Sequence, residues 1–93
     1  MRLEFGGLDG NGVRVGVIDS GVETSHPRIG PLTEAVELRQ ASGGAPVWAP
    51  TDADRAGHGT ACAGIIRRIA PRAELFSAAI LDDSLSTPGA ALV

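Results

Sequence analysis

Asp19 and His58 are the two residues of this chain whose settings could do acid-base chemistry. Asp19 closes the apolar run Val15-Gly16-Val17-Ile18 and is followed by Ser20-Gly21, so it stands at a strand end entering a glycine turn. His58 lies in Gly57-His58-Gly59-Thr60-Ala61-Cys62-Ala63-Gly64 and opens an apolar helical stretch. A carboxylate at a strand end and an imidazole at a helix start are two thirds of the constellation in which a serine attacks, a histidine takes its proton and an aspartate orients the histidine. The helix N-terminus disfavours the imidazolium and a nearby carboxylate favours it, the opposed influences that a general base needs. Each residue also has a plainer reading. Asp19 could bond its own backbone in a turn, and His58 could cap or pack the helix. The glycines around His58 argue against simple packing, because they admit a close backbone or substrate approach.

Other reactive groups carry weaker signals. His26 precedes Pro27 in an irregular stretch and reads as structural. Cys62 is one helical turn beyond His58, and a His and a Cys at that spacing could share a metal, with His26 joining. Its Ile and Ala neighbours favour an inert core thiol instead. No metal and no cofactor is expected; Gly10-Asn11-Gly12 precedes its strand and so is not a dinucleotide loop. None of Ser20, Ser25, Ser42, Ser77, Ser84 or Ser86 has a recognisable nucleophile setting.

The elements that would hold this pair follow from apolar patterning. Leu8 to Gly12 is a turn cluster, and Val13–Ile18 a nearly continuous β-branched run, the pattern of a strand buried on both faces of a parallel sheet. Leu32 to Arg39 reads equally as strand or helix. Ser42 to Gly57 reads as loop, with Trp48 packed over a hairpin. Thr60 to Ile69 is apolar on nearly every face, which predicts a buried helix; Arg67 and Arg68 suit its C-terminal dipole and Pro71 stops it. Leu75 to Leu81 predicts a second parallel strand reached by a β-helix-β crossover. Thr87-Pro88 looks like another helix start, close to the last residue, Val93.

These segments together resemble the subtilisin-like serine peptidases. Val15 to Val22 is similar to the segment around that family's catalytic Asp, with Ser25-His26-Pro27 following as it normally does. Gly57 to Gly64 is similar to the segment around the catalytic His, and Ile69-Ala70-Pro71 to the turn into the next strand. Order and spacing agree over roughly residues 8 to 90. The resemblance implies an α/β fold, part of a doubly wound parallel sheet truncated before its C-terminal half, so residues 1–93 read as a partial peptidase domain. It further implies Asp19 as the orienting carboxylate and His58 as the general base. The family's nucleophile segment and oxyanion Asn have no counterpart here. The nucleophilic Ser is therefore expected on a missing segment or a partner chain, and these residues by themselves are expected to be inactive. Arg28 stands where relatives often carry Asp, Ala61 replaces a common second His, and the long calcium loop after the His motif is replaced by a direct run from Ile66 to Pro71. No calcium site is expected on that basis.

Bulk composition narrows the alternatives. A chain of 93 residues with 43% hydrophobic and 20% charged residues is globular rather than disordered, and holds one domain at most. A net charge of -3 offers no basic footprint, so nucleic acid is not an expected partner. One Cys precludes an internal disulfide, and the N-terminal residues show neither a signal peptide nor a membrane span, so the expected location is the cytoplasm without membrane association. The expected partners are a peptide or protein substrate and a complementary or second identical chain. Two further readings stay open: a non-catalytic remnant that binds peptides or proteins, and a retropepsin-like aspartic peptidase homodimer suggested by Val17-Ile18-Asp19-Ser20-Gly21. The apolar helix after His58 has no place in the mostly β fold of the latter.

Overall fold

The computed structural model describes residues 8–40 and 44–81. In chain order the elements are β1 (Arg14–Asp19), β2 (Glu34–Gln40), β3 (Pro46–Pro50), α1 (His58–Ile69) and β4 (Glu74–Ala79). They form a mixed α/β unit whose four-stranded sheet has the order β1-β4-β2-β3. β4 is parallel to both β1 and β2, while β3 runs antiparallel to β2. The expected strand pair is thus present: Val17 is opposite Ser77 and Asp19 opposite Ala79.

One helix covers one face of this sheet. Val15, Val17 and Asp19 alternate with Gly16 and Ile18 along β1, the period-two geometry of a strand. Val17 meets Leu75, Ala63, Val22 and Ile29 in the core, with Val15, Leu32, Cys62 and Ile66 packed against it. Among the described residues nothing covers the opposite face, and Ile18 is 68% exposed. Among the described residues the strands are therefore buried on one face, not on both as the apolar run led to expect. A continuous apolar run reports a strand capable of double burial, and among the described residues one helix meets it.

The expectation of an all-round buried helix is corrected too. Only Gly59 and Ala63 of α1 are buried, while Ile65 is 55% and Ile69 38% exposed. The helix packs through its small residues and Ile66, while Ile65 and Ile69 project partly outward. Arg67 does more than complement a dipole. Its guanidinium donates to the carbonyls of Ile29 (2.8 Å), Pro31 (3.0 Å) and Ala73 (2.6 Å), tying α1 to the loop before β2 and to the turn before β4. Each of those carbonyls lies outside regular pairing and gains a charge-assisted donor.

The ambiguous segment around residues 32–39 is strand β2. The segment expected to be loop contains β3, in which Trp48 pairs with Leu38 and is 55% exposed rather than packed over a hairpin. Pro46 and Pro50 masked this strand in the sequence, yet both lie at its ends and at the sheet edge, where a missing N–H costs little. The helix start expected at Thr87-Pro88 lies outside the described residues. No helix among the described residues is long and apolar enough to cross a membrane.

Candidate active site

β1 delivers Asp19 to the carboxyl end of the sheet, where open α/β sheets build their sites. The residue is only 8% exposed. Its backbone carbonyl accepts from Ile80 N–H (2.8 Å) and Leu81 N–H (3.1 Å) just past β4, which fixes the strand end. One carboxylate oxygen, Oδ1, accepts from the Ser20 backbone N–H at 2.7 Å. The other, Oδ2, is 2.6 Å from His58 Nδ1. Among the residues singled out in the sequence, Asp19 and His58 are thus brought into direct contact across 39 positions of chain.

The helix start positions the imidazole. Gly57 is the cap residue, with φ 84°, a left-handed conformation that a side chain would oppose. Gly59 lies against the turn after Asp19 so closely that a Cβ there would overlap the Gly21 carbonyl oxygen. The helix can approach β1 only because position 59 has no side chain. His58 projects between these two glycines, with its side chain 55% exposed while that of Asp19 is 12% exposed. An ionised carboxylate only accepts hydrogen bonds, so in the neutral ring this contact keeps the proton on Nδ1 and the lone pair on Nε2.

Asp54 is a further member of the site that its sequence setting did not mark out. Its carboxylate accepts from Ser20 Oγ (2.6 Å), Ala56 N–H (3.2 Å), Gly57 N–H (2.9 Å), Thr60 N–H (2.8 Å) and Thr60 Oγ1 (2.5 Å). Ser20 Oγ in turn accepts from Gly59 N–H at 3.1 Å. Burial alone would raise the Asp54 pKa, but the bonds from Ser20, Thr60 and Gly57 outweigh it and hold the carboxyl at about 2. The available signal was an Asp shortly before a helix start. It was hidden in the charged run Asp52-Ala53-Asp54-Arg55.

Cys62 is half-buried at the core edge, with Sγ 3.8 Å from His58 Nδ1. Donor atoms of Asp19, His58 and Cys62 all fall within 4.8 Å of one another, so a shared metal must be weighed. Tetrahedral zinc ligands at bond lengths of about 2 Å stand roughly 3.3 Å apart. The 2.6 Å separation of Nδ1 and Oδ2 is shorter, and fits a proton between them rather than a cation. His26 is elsewhere: its Nδ1 accepts from the Arg28 N–H at 3.2 Å within its own turn, as a structural residue would.

A family model, that of the subtilase family, matches residues 10–86. The chain belongs to the subtilase family. The match takes in both the strand carrying Asp19 and the helix carrying His58, and the family points to serine-peptidase hydrolase chemistry. The parallel β1-β4-β2 core of this subtilase chain, with α1 against it, leaves no room for the mostly β architecture of a retropepsin. A search of curated proteins finds no match.

Proposed function

We propose that this chain supplies the acid-base half of a subtilisin-like serine endopeptidase, with His58 as general base and Asp19 as its orienting carboxylate. The observation that carries the reading is the 2.6 Å contact between a buried carboxylate and a half-exposed imidazole. In the reaction, His58 Nε2 takes the proton of a serine hydroxyl as that oxygen bonds to the scissile carbonyl carbon. The carbonyl electron pair moves to its oxygen. The imidazolium so formed is stabilised through Nδ1–H by Asp19 and gives its Nε2 proton to the amine as the oxyanion re-forms the carbonyl and the C–N bond breaks. A water deprotonated by His58 then releases the acyl group from the serine, which takes the proton back.

The attacking oxygen is proposed to come from outside the described residues. Ser20, nearest to Asp19 in sequence, has its hydroxyl committed to Asp54 and Gly59. Ser77 Oγ is buried within the sheet. On this reading the four strands are part of a larger doubly wound sheet. Exposed Ile18 on the sheet and Ile65 on α1 are where a complementary polypeptide, or a second copy, would pack. Native mass spectrometry of the chain with its co-purifying partners, followed by peptide hydrolysis assays of each species, tests this. Hydrolysis only by a hetero-complex, lost in His58→Ala, supports the proposal. Hydrolysis unchanged in His58→Ala contradicts it, and peptide binding with no hydrolysis in any species would favour a binding module.

A further inference from the structure

The Asp54 carboxylate and the Ser20 hydroxyl form one polar junction between the end of β1 and the first turn of α1. Ser20 directly follows Asp19 and is fully buried. Gly57 and Gly59 flank His58. Asp54 takes the Gly57 N–H directly and reaches the Gly59 N–H through Ser20 Oγ. It also takes both donors of Thr60, whose hydroxyl oxygen accepts the Glu23 N–H at 2.9 Å. The chain on both sides of the imidazole, and the residue next to the orienting carboxylate, thus converge on a single ionised group. An isolated helix cap needs only one or two free N–H groups. This junction also binds the neighbouring strand end, which capping does not require.

We infer that Asp54, acting through Ser20, is a positioning residue that holds the His58 ring on Asp19. The inference rests on the proposed roles of those two residues. Asp54 does not touch the imidazole. It fixes the separation of the two backbones that carry the reacting pair, and a hydrogen bond as short as 2.6 Å tolerates little change in that separation. Arg55 N–H donating to the Ser20 carbonyl at 3.1 Å, beside the Gly21–Asp54 bridge, anchors the same junction from the backbone side.

The test is proton NMR of the 93-residue chain with ¹⁵N-labelled histidine rings, with His26→Gln identifying the second ring. The expected wild-type spectrum contains a far-downfield His58 Nδ1–H resonance that Asp19→Asn removes. Asp54→Ala should lose or broaden that resonance while amide dispersion and the helical circular dichroism signal persist. Asp54→Asn, which keeps one acceptor oxygen, should recover part of it, and Ser20→Ala should weaken it. A mere capping role would lower stability and leave the resonance in place. An unchanged resonance in folded Asp54→Ala overturns the inference but leaves the Asp19–His58 pair standing. If Asp54→Ala fails to fold, an unchanged resonance in both Asp54→Asn and Ser20→Ala overturns it instead. Absence of the resonance in the wild type overturns the pair and the inference together.

Discussion

The carboxyl end of the sheet and the face that no described residue covers present opposite conditions. At the sheet end, Asp19, Ser20, Asp54, Thr60 and His58 are held close together, with two hydrogen-bond partners on the Asp19 carboxylate and five donors on that of Asp54. On the uncovered face and along the outer side of α1, Ile18, Ile65 and Ile69 are exposed apolar groups without polar order. The polar junction is specified by residues close to one another in space, and local chemistry completes it. The apolar surface depends on whatever packs against it. A site of this kind can be preformed while the body around it is thinly covered.

The largest contrast in stability is expected between the core and the outer face of the sheet. Leu75 is fully buried against α1 and Ile18 is exposed on the other side of the sheet. Leu75→Ala should destabilise the fold by about 2–5 kcal/mol, and Ile18→Ala by less than about 0.5 kcal/mol. Urea unfolding of the two variants measures the contrast, and similar losses would mean that the outer face is covered in solution.

A smaller effect is expected where helix and strand end meet. Gly59→Ala should cost about 1–3 kcal/mol, because its Cβ would press on the Gly21 carbonyl and force α1 away from β1. Thermal melting gives the stability change. Loss of the His58–Asp19 contact in the same variant would show that close approach serves the site.

The acid limb of stability sharpens the polar side. Asp54 has a folded pKa of about 2, below the value near 3.9 of an unfolded aspartate. Its contribution is therefore present above about pH 4 and is lost as pH falls toward about 2. Glu37, held below its ordinary pKa first by the hydrogen bond from Arg39, titrates in wild type and variant alike. Unfolding measured against pH should accordingly show a shallower acid loss in Asp54→Asn than in the wild type, and parallel curves would count against the network.

The least effect is expected at Ser77, whose buried hydroxyl has no hydrogen-bond partner among the described residues. Ser77→Ala should raise stability by about 1 kcal/mol, since an unpaired buried hydroxyl costs more than a methyl. Chemical denaturation checks the sign.

The sequence made β1, α1, β4 and the Asp19–His58 pair legible because each depends on local pattern: a β-branched run, an apolar stretch after a glycine-rich start, and two residues at element ends. β3 was not legible, since Pro46 and Pro50 are turn signals until the strand is known to lie at an edge. The exposure of Ile65 and Ile18 was not legible either. Hydrophobicity reports what a face can bury, and coverage is a tertiary fact. Asp54 escaped notice for a third reason. Its five donors come from Ser20, Ala56, Gly57 and Thr60, and the Ser20 link spans 34 positions of chain.

His58, oriented by Asp19, is proposed to activate a serine that lies outside the described residues. Fluorophosphonate labelling followed by intact-mass and peptide mapping tests it most directly, applied to the chain alone and to its complexes. The expected result is no label on this chain by itself, label on a serine of the completed enzyme, and loss of that label in His58→Ala. Label on Ser20 or Ser77 of this chain, or labelling of the completed enzyme that persists in His58→Ala, would contradict it.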